Sequence, residues 1–332
     1  HGVTGGERAQ WHPDFRGTGS GVLLLGDRES NKRVWLMAHV DQISYLVEPG
    51  DAGRYPLLPL CYHMQQDPRR AAIALAPDLD AGGLRIAARG EIVVDGPSVV
   101  FETLDGRPLA PGMRVVYDTP LTWDRLSGRI QGYLDDSVCC TAMLLAVQVL
   151  RWYPVDVLVA LTDEEEGPPG DATQSFCKGG RRLVRHFAPP DLAIVSDVHE
   201  SEAMMHGPGP RGLFPGDGAV FAERSSHGRG TATPPPIYAF QRSMADAFGA
   251  RGTRLRENWG GYVSRSEDVN ASVLTPNVAL LGILCSNRHL AHGEPQANLN
   301  DILDLARALV GYVLLVHGSL WQDLVVRRRL AP

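Results

Sequence analysis

Leu161-Thr162-Asp163-Glu164-Glu165-Glu166-Gly167 is the stretch on which the reading of this chain turns. The residues leading into it, Val155 to Leu161, are mostly apolar and rich in β-branched side chains, the composition of a buried strand. Consecutive carboxylates follow at the strand's end, and then a Gly167-Pro168-Pro169-Gly170 breaker. Adjacent like charges repel and are costly to hold at the edge of a core. A cation or a proton offsets that repulsion, or the side chains splay into water as a solvated acidic turn. The stretch alone leaves both readings open, and the rest of the chain has to decide.

Working outward, several other strand-like runs end in metal-ligand residue types. Val34 to Ala38 reads as a buried strand and runs into His39-Val40-Asp41. There one ring nitrogen of His39 can bind a metal while a carboxylate fixes the other. Gly132-Tyr133-Leu134-Asp135-Asp136-Ser137 precedes the apolar segment Val138 to Leu150, which is long enough for a helix. Capping explains Asp136 but not why two acids sit together. Asp191 to Val195 reads as a strand ending at Ser196-Asp197, and Val278 to Leu284 as a last core strand leading to Asn287-Arg288-His289-Leu290-Ala291-His292-Gly293. Helices are expected from about 174 to 186, from 236 to 250 and from 300 to 320. Acids at the C-terminal ends of parallel strands lie where open α/β sheets place their ligands.

Residues 45–120 differ in character. Short β-type runs (Leu84–Ala88, Glu91–Val94, Ser98–Leu104, Met113–Tyr117) are broken by Gly, Pro and Asp, with no helical period. The expected fold is α/β, a central mostly parallel mixed sheet flanked by helices, with an inserted small all-β domain. The division this gives is 1–47 and 118–332 for the α/β domain and 48–117 for the insert.

Bulk properties narrow the function. The 332 residues, 44% of them hydrophobic, suffice for a full core in one or two domains. A net charge of −6 without a basic stripe argues against nucleic acid; Arg327-Arg328-Arg329 reads as a solvated tail. Cys61, Cys139, Cys140, Cys177 and Cys285 are odd in number and show no CxxC spacing, which fits a reducing, cytoplasmic compartment better than a disulfide framework. No apolar run approaches membrane-spanning length, so no membrane partner is expected, and no signal peptide is visible in the opening residues.

Taken together, His39, Asp135, the Glu164/Glu165 pair, Asp197 and His292 form a set of imidazoles and carboxylates suited to a pair of zinc-like ions, zinc first and cobalt or manganese as alternatives. Their order resembles the co-catalytic dinuclear metallo-aminopeptidases of the deblocking, glutamyl-aminopeptidase or TET type. Ala38-His39-Val40-Asp41-Gln42-Ile43-Ser44 resembles that family's A-H-M-D-E-I-G, Leu134-Asp135-Asp136-Ser137 its L-D-D-R, and Glu164-Glu165-Glu166-Gly167-Pro168-Pro169-Gly170 its E-E-V-G-L-R-G. Gly2-Val3-Thr4-Gly5-Gly6-Glu7, Ser196-Asp197-Val198, Gly207-Pro208-Gly209-Pro210 and Arg288 to His292 extend the likeness over nearly the whole chain. In that family, too, a second domain sits between the first His and the Asp pair.

The resemblance implies roles. His39 and Asp197 would hold one ion, Glu165 and His292 the other, and Asp135 would bridge. Glu164 would be the general base and Asp41 would orient His39. The triple Glu leaves a frame ambiguity: aligning Gly167 and Gly170 makes Glu166 a bystander, whereas a one-residue slip makes Glu165 the base. His289 is the rival of His292. Departures fall at Gln42, Ser44, Ser137 and Cys139, and Ser264-Arg265-Ser266-Glu267-Asp268 is the nearest match to a Gly-Gly-Thr-Asp-Ala loop. Asp268, Gly261 and Tyr262 are candidate substrate contacts. The expected activity is release of an N-terminal residue from a small peptide, in a homo-oligomer, as is usual in that family. The alternatives are a dinuclear metal amidohydrolase acting on a modified or non-peptide amide, and a non-catalytic binding protein of the same fold.

Overall fold

The computed structural model describes residues 9–26, 32–61, 67–78, 80, 83–96, 98–167, 176–200, 212–259, 261–290 and 293–321. The chain opens with β1 (Ala9–His12), β2 (Gly21–Leu25) and β3 (Val34–His39). Six strands follow: β4 (Tyr45–Val47), β5 (Arg54–Pro59), β6 (Arg69–Asp78), β7 (Gly83–Asp95), β8 (Ser98–Thr103) and β9 (Arg114–Tyr117). Then come β10 (Thr122–Trp123), β11 (Arg129–Gln131), α1 (Ser137–Leu150), β12 (Val157–Thr162), α2 (Lys178–Leu183) and β13 (Leu192–Glu200). The remainder is β14 (Ala219–Ala222), α3 (Pro235–Gly249), β15 (Leu255–Glu257), α4 (Asp268–Leu274), β16 (Val278–Cys285), β17 (Gln296–Asn298), α5 (Leu299–His317) and α6 (Ser319–Trp321).

The central sheet has the order β1-β2-β12-β3-β13-β16-β14-β15. Its middle strands β12, β3, β13 and β16 are parallel, and β2 and β14 flank them antiparallel. Every residue of β3, β12 and β16 is buried, which explains their unbroken apolar runs. The pleat sends Leu36 and Val159 to the face covered by α1, α3 and α5, and Met37 and Leu158 to the face covered by α2 and α4. A three-stranded sheet of β10, β11 and β17 lies beside it.

Strands β4 to β9 close into an antiparallel barrel in the order β4-β5-β8-β7-β6-β9. Tyr45, Ile92, Phe101 and Tyr117 fill it, and the Tyr45 and Tyr117 hydroxyls meet at 2.8 Å. The runs at 84–88 and 91–94 are one strand. Gly90 joins them rather than ending them, because a Cβ there would lie 2.1 Å from the Glu102 carbonyl oxygen. No helix among the described residues is long and apolar enough to cross a membrane.

Two boundaries differ from expectation in ways that matter for the site. β13 continues past Val195 to Glu200 because β16 pairs with it as far as Cys285, so Asp197 is inside the strand rather than at its end. The helix expected from about 174 begins at Lys178, since Cys177 is left-handed with φ 51° and breaks the backbone just before it. Residues 174 and 175 lie outside the described residues.

Candidate metal centre

β3 and β12 end level with each other, Thr162 opposite His39, so the acidic stretch emerges beside the histidine. Asp41 holds it there. Its two carboxylate oxygens accept the backbone N–H groups of Glu165 and Glu166, each at 2.9 Å. The other side of the loop is fixed by the start of α2, where the Cys177, Lys178 and Gly179 N–H groups donate to the carbonyls of Glu165, Glu164 and Asp163. A Cβ on Gly179 would sit 2.3 Å from the Asp163 carbonyl oxygen, so this approach requires glycine. Glu164 is left-handed, φ 56°, and its carboxylate leaves the loop to meet Arg182 at 3.0 Å and Lys178 at 3.6 Å. Glu165 and Glu166 turn inward instead.

His39 Nδ1 lies 3.1 Å from the Asp41 carbonyl oxygen, an arrangement in which Nδ1–H donates and Nε2 is the ligating nitrogen. Nε2 is 3.1 Å from Asp135 Oδ1 and 3.9 Å from Glu165 Oε2. Asp135 Oδ2 faces the other way, 3.2 Å from His289 Nε2 and 3.0 Å from the Arg288 guanidinium. His289 Nε2 is also 3.3 Å from Glu166 Oε1. Two groups result: potential ligand atoms of His39, Asp136 and Asp197 lie within 4.8 Å of one another, and so do those of Asp135, Glu166 and His289. Asp135, touching both histidines, links the groups.

The electrostatics are those of crowded buried acids. Burial, with Asp197 beside it, pushes the Asp136 carboxyl well up, and burial does the same to Glu165. Burial and the charge of Asp135 raise Asp197 to about 7. Burial would raise Asp135 too, but hydrogen bonds from His289 and His39 and the charge of Arg288 hold it well below the usual range. Burial and Arg288 press His289 down, yet Glu166 and Asp135 lift it to about 9. His39 is raised against its burial by Glu165, Asp135 and Asp41.

The residues fit divalent cations. Among the described residues neither buried oxygen of Asp136 accepts from an N–H or O–H group; the weak Cys139 thiol donor lies against it, a poor match for a buried carboxylate. As the residue preceding α1, Asp136 makes no side-chain cap, so capping does not account for it. Imidazole nitrogens and carboxylate oxygens converging from β3, β12, β13, β16 and the start of α1 suit zinc, cobalt or manganese.

The structure therefore brings His39, Asp135, Glu165 and Asp197 together, with Asp41 behind them. Glu164 is turned away, and His292 lies outside the described residues. Asp136, Glu166, His289 and Arg288 join the centre. The second acid of the Asp pair was the available signal for Asp136, and the sequence's triple Glu the signal for Glu166. Asp268 is fully buried in α4, accepting from Ser225 Oγ at 2.6 Å and from the Thr231 N–H at 2.8 Å, where it organises the 225–231 loop. Gly261 packs against the Asn258 side chain. The Tyr262 carbonyl accepts from the N–H of Glu200, which in turn holds Arg288.

No family model matches the chain, and no curated protein matches it in sequence. Solved structures match in fold. The TET1 peptidase of Pyrococcus horikoshii, which assembles into a tetrahedron or a large octahedral shell, superposes with a TM-score of 0.68 at 17% identity, covering 92% of this chain and 89% of that one. An aminopeptidase from the archaeon Desulfurococcus kamchatkensis gives 0.71 at 17% identity, covering 92% and 84%. A Thermotoga maritima structure described as an endoglucanase gives 0.65 at 15% identity, covering 92% and 86%. The chain shares the fold of these proteins.

Proposed function

We propose that this chain is a metal-dependent aminopeptidase. The observation that carries the reading is the pair of ligand groups joined by Asp135, gathered from β13, the start of α1 and the segments leaving β3, β12 and β16, in a fold shared with aminopeptidases. His39, Asp136 and Asp197 would hold one divalent ion and Glu166 and His289 a second, with Asp135 between them. Bound there, the ions would lower the pKa of a coordinated water and polarise a substrate carbonyl.

The chain's own residues do the rest. Asp41 fixes the acidic loop through two backbone N–H groups, which aims Glu165 at His39. Glu165 is then the general base. It takes a proton from the attacking water and delivers it to the departing amine. Burial, which raises its pKa, suits it to hold that proton between the two steps. This is the one-residue slip of the frame, with Glu166 as the ligand. It follows from Glu164 being engaged with Arg182 and Lys178 rather than with the centre. His289 takes the place given to its rival His292. We further propose a cytoplasmic homo-oligomer with a separate insert, expected at 48–117, whose barrel begins at Tyr45 with β4.

The test is hydrolysis of an aminoacyl-anilide panel by purified protein, before and after chelator treatment and on metal re-addition, with N-acylated anilides alongside. Activity lost on chelation and restored by zinc, cobalt or manganese is expected. Equal rates with and without chelator would defeat the proposal. Hydrolysis of N-acylated substrates in preference to free amines would transfer it to the amidohydrolase reading.

A further inference from the structure

The two ligand groups are not equivalent. In the first, Asp136 offers two oxygens that, among the described residues, accept from no N–H or O–H group and have the Cys139 thiol beside them. In the second, the Asp135 oxygen a cation would use already accepts from a guanidinium N–H, and His289 Nε2 stands against the same positive charge. The Arg288 guanidinium lies 3.0 Å from Asp135 Oδ2 and 3.1 Å from His289 Nε2, and its Nε lies 3.2 Å from Glu200 Oε1. Arg288 is well packed, its side chain 12% exposed. Glu200 comes from the end of β13 and is fixed by its own N–H to the Tyr262 carbonyl at 3.1 Å, so the guanidinium is held from behind as well as from the centre.

Arginine keeps its charge at any pH at which the protein is folded. A divalent ion bound by Asp135 and His289 at ordinary ligand distances of roughly 2 Å would share both partners with the guanidinium and repel it at close range. Among the described residues no Lys or Arg forms an ion pair with Asp136 or Asp197; the Arg288 charge reaches Asp197 only at longer range.

We propose that Arg288 sets the metal stoichiometry of the centre. Its guanidinium supplies positive charge at the Asp135, Glu166 and His289 group, so one divalent ion is held tightly through His39, Asp136 and Asp197, and a second enters only by displacing the guanidinium from Asp135. This rests on the metal centre argued above and goes beyond it in assigning unequal sites and the residue responsible. Glu200 is the positioning residue that keeps Arg288 in place.

Metal-stripped full-length protein titrated with Mn²⁺ tests this, with bound metal counted by equilibrium dialysis and the spin state followed by electron paramagnetic resonance. The wild type should bind in two steps separated by at least about tenfold, as repulsion between neighbouring cations demands. An uncoupled Mn²⁺ signal should persist up to one equivalent. Arg288→Gln should tighten the second step by about tenfold or more, leave the first nearly unchanged, and give a spin-coupled pair at two equivalents. Glu200→Gln, which keeps the arginine but loosens its anchor, should shift the second step the same way by less, and serves if Arg288→Gln does not fold. Two equal steps in the wild type, or a gap unaltered in the variants, would overturn the inference and leave the metal centre standing. Failure to bind any ion would overturn both.

Discussion

Replacing Glu165 and Glu164 separately with glutamine decides which of two adjacent carboxylates is the base. The substitution keeps size and removes the charge and the proton acceptor. Glu165 is buried, its Oε2 3.9 Å from His39 Nε2, and its backbone is anchored by Asp41 and Cys177. As the group that moves the proton, it should contribute about 10²–10⁴ in kcat, which is roughly 3–5 kcal/mol of barrier. Glu164 has a side chain 37% exposed, paired with Arg182 and Lys178 at 38% and 43% exposure. Such half-solvated pairs are worth about 0–1 kcal/mol of stability. Glu164→Gln should therefore keep kcat within a few-fold and lower the melting temperature slightly. The assay is kcat for an aminoacyl-anilide with metal-replete protein, and metal content is measured on the same samples so that ligand loss is not read as loss of a base. A large fall in kcat for Glu164→Gln with Glu165→Gln near wild type would refute the assignment and restore the frame set by Gly167 and Gly170.

Other outcomes follow from the same geometry. Asp136→Asn should weaken the tighter metal site at least about tenfold, measured by metal competition, because an orphaned buried carboxylate loses its charge. Chelation should lower the melting temperature, and metal at 100 times its Kd should add back about 2.7 kcal/mol; a melt indifferent to metal would contradict the centre. Gly282→Ala places a Cβ 1.9 Å from the Asp197 carbonyl oxygen, so it should force β13 and β16 apart, cost about 1–3 kcal/mol by denaturant melt, and reduce metal content. His317, away from the centre, donates from Nδ1 to the Val313 carbonyl and accepts the Asp156 N–H at Nε2, a neutral-only arrangement, and burial lowers its pKa. Since the unfolded state then binds the proton more readily, its contribution is full above the unfolded pKa of about 6.5 and is lost as pH falls below it. His317→Gln should shrink the stability difference between about pH 7.5 and 5.5 by roughly 0.5–1.5 kcal/mol, the size of one hydrogen bond.

The sheet was legible because its central strands are buried on both faces, which leaves continuous apolar runs at 34–38, 157–161 and 278–284. Their C-terminal residues could be read as a ligand set for the same reason: parallel strands bring their ends together. What could not be read is where a side chain points once a strand has ended. Glu164, Glu165 and Glu166 are chemically identical, and only the left-handed φ of Glu164, set by the hydrogen bonds from α2, separates them. Gly167 and Gly170 were the natural anchors for a frame, yet the loop is pinned by Asp41 and Gly179, which lie far from it in sequence. His289 and His292 are three residues apart and of one type, so the sequence left them as rivals, and His292 lies outside the described residues. Asp136 was hidden by a role, helix capping, that its position allowed and its side chain does not perform.

Arg288 is the residue that links these readings. Asp135, Asp136, Glu165, Glu166 and Asp197 crowd one buried space with two histidines, and burial favours protons on some of them. Protonation alone would relieve the repulsion, but it would leave no reason for a guanidinium packed between Asp135 and Glu200, since a neutral acid gains little from one. Hydrogen bonds from His289 and His39, with the charge of the arginine added, hold Asp135 ionised. Asp135 is in contact with both histidines, but it belongs to the group with Glu166 and His289. The Arg288 guanidinium lies on the His289 side, where it would compete with a cation, and not against Asp136, whose oxygens accept from no N–H or O–H group among the described residues. The same charge that prepares the centre for metal thereby makes its two halves unequal.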